Sequence, residues 1–259
     1  MSQIRQTPLT VEQEPYLVVR SMASNLFSGY VIDGHTHPWH QLLCAATGAV
    51  TVSAGRWSWI IPAGKAVFIP AGIVHSIRMW GSVQLRSLYF PPTLESEALR
   101  GDECRVLSVT PLLLELVLRV IEWRALDSRE AVHQSLLHVL LDEMKIAPVT
   151  PLSLPLPSDA RAMAVAQKIL ATPASPATLD DLSHQHGASR RTLERLFRQE
   201  TGLSLGLWRQ KVRMLDSIRL LAEGKSVTEA ACDCGYGSVS AFIAAFRKTF
   251  GHTPGRIST

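Results

Sequence analysis

The sequence predicts an α+β protein with two domains: an N-terminal antiparallel β-barrel with added helices, and a C-terminal all-α domain with two helix-turn-helix units. Three observations support this prediction. Short runs of β-branched and aromatic residues fill positions 16–89, whereas apolar residues recur at helical spacing from position 111 onward. Four prolines between positions 148 and 157 separate the two regions. A chain of 259 residues is long enough to bury one core in each domain.

The N-terminal domain, residues 1–105, carries the pattern of short strands. Glycine and proline interrupt the apolar runs after a few residues. Many short strands at close spacing are typical of an antiparallel sandwich or barrel. The candidate strands lie at 16–20, 49–54, 56–61, 66–70 and 83–90.

Histidines are concentrated between the first two of these runs. His35, His37 and His40 lie within six positions of one another, and His75 follows later in the domain. Because side chains two apart on a strand share a face, we expect His35 and His37 to point to one side, together with Gln41. His40 should point away. If the barrel closes, the shared face is its interior.

Two segments around these histidines resemble the two motifs of the cupin family. The first is Gly29-x5-His35-x-His37-x3-Gln41-x6-Gly48, with glutamine where the family usually has glutamate. The second is Gly64-x5-Pro70-x-Gly72-x2-His75, with Met79 where the family often has asparagine. The resemblance implies a cupin barrel. In metal-binding cupins the matching positions are the metal ligands, which here are His35, His37, Gln41 and His75.

Two interpretations of this polar cluster stay open. Three imidazoles and an amide oxygen are a ligand set for a divalent first-row metal, although the missing carboxylate removes a charge and lowers affinity. Alternatively, the cluster lines an apolar pocket for a small organic effector, as in sensor cupins that lack metal. Trp57 and Trp59 share a strand face, and they either extend that effector pocket or pack in the core.

The segment 106–147 is predicted to be helical and to mediate dimerisation. Its apolar residues form two stripes at helical spacing that are wider than a small barrel can cover. The first stripe contains Leu113, Leu116, Val117 and Val120, and the second contains Val132, Leu136, Val139, Leu140 and Met144. We expect a homodimer interface on these helices. The alternative is that they pack only on their own domain.

Residues 148–158 form the predicted linker. Proline fixes φ and lacks an N–H, so four prolines in ten residues disfavour both helix and strand. We therefore expect an extended, semi-stiff spacer between the two domains.

Residues 159–259 are predicted to form seven short helical segments. These are 159–170, 179–185, 189–200, 204–222, 227–234, 238–250 and a turn near Thr253. A helix, a glycine-containing turn and a second helix occur twice, with the turns at Gly187 and Gly235. This pattern predicts two helix-turn-helix motifs, in each of which the second helix enters the major groove of DNA.

The C-terminal domain resembles the DNA-binding domain of the AraC/XylS family along nearly its whole length. The first unit carries Leu193-x-Arg195-x-Phe197-x3-Thr201-Gly202. The second carries Val227-x2-Ala230-Ala231-x3-Gly235-Tyr236 and Phe242-x3-Phe246-x3-Phe250-Gly251-x-Thr253-Pro254. A cupin ahead of such a domain is the usual order in this family. The resemblance therefore implies a transcription regulator that binds double-stranded operator DNA and senses a small-molecule effector.

The resemblance also assigns candidate DNA contacts in the first unit. Arg191, Glu194 and Arg195 match positions that read bases, since a guanidinium can bond guanine and a carboxylate can accept from cytosine. Arg190 and Arg198 are expected to contact phosphates. The alternative for each is a charge exposed only to solvent.

The second unit offers fewer hydrogen-bond donors. Its matching positions are Val239, Ser240, Ile243 and Ala244. These residues would meet thymine methyl groups or shape the fit, while Arg247 and Lys248 contact the DNA backbone. We predict that the first unit carries most of the direct sequence specificity.

Charge and cysteine usage agree with this interpretation. The net charge is +4; residues 158–259 hold 14 basic and 9 acidic residues, a net of +5, which leaves −1 for the rest of the chain. A basic C-terminal domain suits a polyanionic partner. The four cysteines show no disulfide or zinc pattern, and no apolar run is long enough for a membrane span or a signal peptide. These features indicate a cytoplasmic protein with no membrane partner.

We therefore expect a dimeric transcription regulator, not an enzyme, that controls neighbouring genes, with its own gene a further candidate target. It would also contact RNA polymerase if it is an activator. One alternative is a cupin metalloenzyme, such as a dioxygenase or isomerase, fused to a DNA-binding module; the missing carboxylate argues against it. Another is a constitutive dimeric DNA binder whose barrel serves only as a scaffold.

Overall fold

The computed structural model describes residues 14–55, 57–150, 153–185, 187–250 and 253–256. Pro151 of the predicted linker and Gly251 of the second family motif lie outside the described residues. The described chain forms an antiparallel β-sandwich with two covering helices, followed by a helical domain. The predicted α+β class is confirmed.

Eleven strands occur among the described residues, and they form two antiparallel sheets. They are β1 (Leu17–Leu26), β2 (Val31–His35), β3 (His40–Ala45), β4 (Ala49–Ala54), β5 (Trp57–Pro62), β6 (Lys65–Ile69), β7 (His75–Trp80), β8 (Val83–Phe90), β9 (Arg105–Ser108), β10 (Ala125–Asp127) and β11 (Ser153–Pro155). The first sheet has the order β10–β1–β8–β3–β6–β9. The second sheet has the order β11–β5–β4–β7–β2.

Strand alternation gives each sheet an inner and an outer face. In the second sheet, Val52 of β4 lies opposite Ile77 of β7, and both side chains are buried between the sheets. Their neighbours Thr51 and Arg78 also lie opposite each other, on the outer face. One sheet therefore presents two surfaces of different chemistry, and each of them positions a candidate site described below.

Two helices, α1 (Pro111–Trp123) and α2 (Ala131–Ile146), cover the outer face of the first sheet. The first predicted stripe is confirmed in its main part, because Leu113, Val117 and Val120 are fully buried. This cluster is separate from the core between the two sheets.

The second predicted stripe is wrong in part. Leu140 and Met144 of α2 are buried as predicted, and they are joined by Leu137. Val132 and Val139 are exposed instead, at 59% and 44%. The helix turns these two residues away from the sheet, so α2 presents apolar side chains both to its own domain and to the outside.

After residue 90 of the described chain, strands occur in three places where the sequence predicted none, and one of them is β10, which lies within the predicted helical segment and pairs with β1. Residues 106–108 of the predicted helical segment belong to β9, which pairs with β6. In the predicted linker, β11 pairs with β5 at the edge of the second sheet. An edge strand tolerates proline because its outer side pairs with no other strand, so a backbone N–H is not needed there. Trp208 of the C-terminal domain also donates from Nε1 to the Pro155 carbonyl oxygen at 2.7 Å. The segment is therefore anchored to both domains and is not a free spacer.

Six α-helices and a short 3-10 turn form the described part of the C-terminal domain. They are α3 (Ala160–Ala171), α4 (Leu179–Gln185), α5 (Arg190–Thr201), α6 (Leu205–Ala222), α7 (Val227–Asp233), α8 (Val239–Phe250) and the turn Pro254–Arg256. The predicted pair of helix-turn-helix units, α4–α5 and α7–α8, is confirmed. Helix α6 packs against both units, and its Trp208 is fully buried beside Phe197.

Local signals explain the bounds of α5, the second helix of the first unit. The Ser189 hydroxyl accepts a hydrogen bond from the Thr192 N–H and so caps the start of the helix. Gly202 ends it with a φ of +74°, a conformation that glycine adopts without strain. Between these points one face is apolar and buried, so the opposite face is left to carry charge.

The described helices and cysteines give two further facts. None of the described helices is long and apolar enough to cross a bilayer. The four cysteines are free thiols.

Candidate effector pocket and nucleic-acid interface

Three of the predicted histidines meet at one end of the sandwich interior. Strand pairing places His35 of β2 opposite His75 of β7, with ring centroids 4.3 Å apart. His37, in the connection to β3, lies 5.2 Å from His75 and 6.0 Å from His35 between ring centroids. One nitrogen from each ring lies within 4.8 Å of the others. The backbone therefore brings three ligand-type atoms together, as the sequence predicted.

Hydrogen bonds fix the orientation of each ring. In His35, His37 and His75, the Nδ1 atom lies 2.9, 2.7 and 2.9 Å from a backbone carbonyl oxygen two positions away in the chain. A carbonyl oxygen can only accept, so Nδ1 carries a proton in each ring, and Nε2 has a free lone pair whenever the ring is neutral. This second layer of bonds is the arrangement that orients histidines toward a metal or a ligand donor.

Gln41 completes the cluster from β3. Its side chain is buried, and its amide nitrogen donates to the Ser87 hydroxyl at 3.0 Å and to the Tyr89 hydroxyl at 3.2 Å. These bonds direct Oε1 toward Nε2 of His37, at 3.1 Å. An amide oxygen can only accept, so a proton on His37 Nε2 would donate to Oε1, and a bound metal would take the place of that proton.

Burial controls the protonation of His75. Desolvation lowers the pKa of His75 to about 4, although its bond to the Ile73 carbonyl acts in the opposite direction. His75 is therefore neutral near pH 7, the form that binds a metal. Its Nε2 is buried and has no hydrogen-bond partner within the described chain. An unpartnered buried acceptor beside two further imidazoles fits a bound cation or a donating ligand.

The other candidate residues of this domain lie outside the histidine cluster. His40 does so as the alternation predicts, and the prediction for Trp57 and Trp59 needs correction. His40 points away from the cluster: its Nδ1 accepts from the Ala71 N–H at 3.2 Å, and its ring stacks on Phe68. A cavity of about 280 Å³ between β1 and β2 borders His35. Trp57 and Trp59 do not line it. Trp59 is buried in the core, so the core alternative holds for that residue.

The outer face of α5 carries the charges predicted to contact DNA. Arg191, Arg195 and Arg198 are exposed, on the side opposite the buried apolar residues of the helix. The Arg195 guanidinium donates to the Gln199 side chain at 2.7 Å, which lies one turn along on the same surface. Arg190 instead pairs with Asp180 of α4 at 3.0 Å. The pair braces the two helices, so Arg190 is less free to contact phosphate than its neighbours.

Glu194 has a structural contact that the sequence did not reveal. Its carboxylate accepts a hydrogen bond at 3.1 Å from the Leu205 N–H, at the first residue of α6. The first N–H groups of a helix have no partner within the helix, and a negative charge there interacts favourably with the helix dipole. Glu194 is therefore not a charge exposed only to solvent: besides the base contact that the resemblance implies, it supports the start of α6 beside Ser204, whose hydroxyl caps that helix.

The corresponding surface of α8 is smaller than predicted. Ser240, Arg247 and Lys248 are exposed, but Val239 and Ile243 are half-buried and pack against the core of the domain. Their side chains are therefore shared between the core and any DNA contact. The second helices of the two helix-turn-helix units are thus not equivalent, because α5 offers more hydrogen-bond donors than α8.

Sequence reasoning missed the surface where the two domains meet. Arg219 of α6 lies over the Trp80 ring at 5.3 Å, and the Gly81 backbone touches the end of α6 at Ala222. The available signal was the polar character of the outward positions of β4 and β7. That pattern was consistent with a solvated face, so it did not reveal the contact.

Comparisons with known proteins match both halves of the chain. A helix-turn-helix domain model matches residues 182–259, and a model of the AraC-like ligand binding domain matches residues 22–141. The HTH-type transcriptional regulator NimR of Escherichia coli is 32% identical over 222 residues, which are 86% of this chain and 80% of that protein. The HTH-type transcriptional regulator RipA of Corynebacterium glutamicum is 36% identical over 105 residues, 40% of this chain and 32% of that protein.

Solved structures also match. A crystal structure of an AraC-type transcriptional regulator from Chromobacterium violaceum has 28% sequence identity and a TM-score of 0.36, and the match covers 38% of this chain and 88% of that chain.

Proposed function

Because the chain belongs to the AraC family of helix-turn-helix transcriptional regulators, with an AraC-like ligand-binding domain, we propose that ligand binding at the histidine cluster controls how it binds operator DNA. Its relatives are transcriptional regulators and not enzymes, which decides against the metalloenzyme alternative. The observation that carries the proposal is the buried Nε2 of His75, which faces two further imidazoles without a partner among the described residues.

A divalent first-row metal is the occupant that this cluster fits best. His35, His37, His75 and Gln41 would hold it through three neutral nitrogens and one amide oxygen. When bound, such a metal supplies a positive charge that the neutral donor set leaves uncompensated. The pocket would then attract an anionic or electron-rich effector to the cavity beside His35.

Metal analysis tests this part of the proposal. The protein is purified after exposure to Mn²⁺, Fe²⁺, Ni²⁺ or Zn²⁺, and bound metal is measured by mass spectrometry. We expect about one equivalent per chain, lost in His75→Ala and retained in His40→Ala, because His40 points to the other side of the sheet. Equal metal content in the two variants would contradict the assignment.

The first helix-turn-helix unit is proposed to carry most base readout. Arg191 and Arg195 present exposed guanidinium groups on α5. The exposed part of α8 offers mainly Ser240 for contacts with bases, and Arg247 and Lys248 would contact the DNA backbone. Arg198 would add a phosphate contact beside them.

Dimerisation is proposed to use α2. Val132, Val139 and Ile146 are exposed at 59%, 44% and 69%, and their spacing of seven residues places them in one line along the helix. A second copy of the chain would bury this line by an isologous contact. The dimer would then present two DNA-binding domains to one operator.

Effector binding would act by shifting an equilibrium between two arrangements of the dimer. A ligand does so only to the extent that its affinity differs between them. We place the protein in the cytoplasm with its target genes, which would be its neighbours and its own gene, and an activator of this kind would also contact RNA polymerase. If operator affinity and dimer arrangement were the same with and without bound ligand, the constitutive-binder alternative would hold.

A further inference from the structure

The second sheet has a ligand-sized cleft on its outer face, on the opposite side from the histidine cluster. Helices of the C-terminal domain lie over this face and leave a cavity of about 610 Å³ between the two domains. His75 points inward and Arg78 points outward on the same strand. The cleft is therefore separate from the pocket of the proposed function, and its existence does not depend on that function.

The sheet side of the cleft is polar in a regular pattern. Ser53 and Ser58 lie opposite each other on β4 and β5, with their hydroxyls 3.4 Å apart. In the next row, Thr51 lies opposite Arg78 and accepts from Nε1 of Trp80 at 2.8 Å. A row of hydroxyls and one indole thus forms a flat wall that can both stack and hydrogen-bond.

The helical side is mainly apolar. Val212, Leu215 and Arg219 line it at spacings of three and four residues, so they form one stripe of α6. Leu170 of α3 and Leu154 of β11 extend this apolar side. Two walls of different character, one from each domain, enclose the space.

The two arginines of the cleft differ in their partners. Arg219 is neutralised by Asp216 at 2.6 Å and by Glu223 at 2.6 Å. Arg78 lies over the Trp80 ring at 5.7 Å and has no acidic partner among the described residues. Among the described residues of the cleft, Arg78 is therefore the guanidinium without a carboxylate partner, and it lies beside an aromatic face.

We propose that this interdomain cleft is a second small-molecule site, which takes a flat aromatic carboxylate. The ring stacks beside Trp80 between the hydroxyl wall and the α6 stripe, and the carboxylate pairs with Arg78. Because both domains contribute walls, the ligand binds only when they are docked. It therefore stabilises the docked arrangement.

Binding of a defined probe to the full-length protein tests the site. Indole-3-acetate is titrated calorimetrically, with the neutral indole-3-acetamide as the paired probe. We expect the acid to bind about tenfold more tightly than the amide, since only the acid gains the charge-assisted bond to Arg78. Arg78→Gln should remove that advantage. Arg119→Gln is the matched control, because Arg119 lies over Trp123 at the same 5.7 Å on α1, away from the cleft.

Three results would overturn the site: no binding of the acid, equal binding of acid and amide, or unchanged acid binding by Arg78→Gln. His75→Ala should bind the acid as the unaltered protein does. If that variant lost the probe, the probe would occupy the histidine pocket and the second site would be refuted. Failure of the histidine proposal itself, seen as absent metal or effector binding, would leave this result unaffected.

The dependence on domain docking has its own test. A Cβ added at Gly81 would lie 2.4 Å from the Ala222 carbonyl oxygen, so Gly81→Ala forces the domains apart. Gly55 has a similar positive φ, +54° against +72°, but no atom within 4 Å of an added Cβ. Gly55→Ala therefore adds similar backbone strain without the collision. We expect the first variant to bind indole-3-acetate several-fold more weakly and the second to bind normally; equal affinities would refute the linkage to docking.

Discussion

Replacing Glu194 by alanine separates its two suggested roles. The carboxylate accepts a hydrogen bond from the N–H of Leu205, the first helical residue of α6, while the side chain lies half-buried beside the surface of α5 that is proposed to contact DNA. If Glu194 caps α6, its removal lowers the stability of the folded protein even without DNA. If it only reads bases, its removal changes DNA binding alone.

The expected magnitude follows from the contact. Loss of a hydrogen bond between a side-chain acceptor and a backbone N–H costs about 0.5–1.5 kcal/mol. Loss of a negative charge from that position costs roughly a further 0.3–1 kcal/mol, less where solvent screens it. We therefore expect Glu194→Ala to lower the free energy of unfolding by about 1–2 kcal/mol, and Glu194→Gln to lower it by about half as much because the amide oxygen still accepts.

Denaturant unfolding of the DNA-free protein measures this change. Arg191→Ala is the control, because Arg191 is exposed on the same helix and surface substitutions of that kind change stability by less than about 0.5 kcal/mol. If Glu194→Ala were as stable as this control, the capping role would be refuted.

Three further predictions concern DNA, assembly and acid. Arg195→Ala should reduce discrimination between operator variants by about 1–3 kcal/mol per contacted base pair, whereas Ser240→Ala should have a smaller effect, both measured by equilibrium titration. Val139→Glu should convert the dimer to a monomer in light scattering, because it places a charge in the exposed apolar line of α2. The Asp159 carboxylate should titrate at about pH 2 by NMR, since the Arg161 side chain holds its pKa below the usual 3.8.

The predicted contribution of Asp159 to stability changes with pH in a definite direction. The Asp159 pKa is lowered on folding, so the carboxylate stabilises α3 fully above its unfolded pKa of 3.8 and loses that effect as the pH falls through about 2. A measured pKa near 4 would contradict it.

The assembly prediction also has a control. Leu207 is exposed at 57% on α6, outside the α2 line, so Leu207→Glu should stay dimeric. Dissociation of both variants, or of neither, would contradict a dimer built on α2.

Much of the architecture follows from local patterns in the sequence. The serine before α5 and the glycine after it predict the bounds of that helix, and the structure places them as cap and terminus. Residue alternation predicts that His35, His37 and Gln41 share a face, and the cupin resemblance adds His75, which the structure places opposite His35 by pairing β2 with β7. The helix bounds and the shared face depend on neighbours in the sequence, whereas the position of His75 came from the family motif.

The features that sequence did not predict depend on contacts between distant segments. The edge strand β11 forms because β5 is available for pairing and Trp208 binds the Pro155 carbonyl, although proline alone disfavours a strand. The capping role of Glu194 requires the position of α6, which no pattern within α5 contains. Val139 is exposed because the first sheet packs against another face of α2. The sequence does not show which face this is, since several faces of that helix are apolar.

Selection of DNA from a random-sequence library by the full-length protein tests most directly whether this chain reads DNA mainly through its first helix-turn-helix unit. We predict that the unaltered protein enriches a motif with two parts, and that a variant with Arg191→Ala and Arg195→Ala loses base preference in one part and keeps the other. The same motif from both proteins would contradict the account. Loss of preference in one part after Ser240→Ala, with none lost after the arginine substitutions, would reverse the order of the two units.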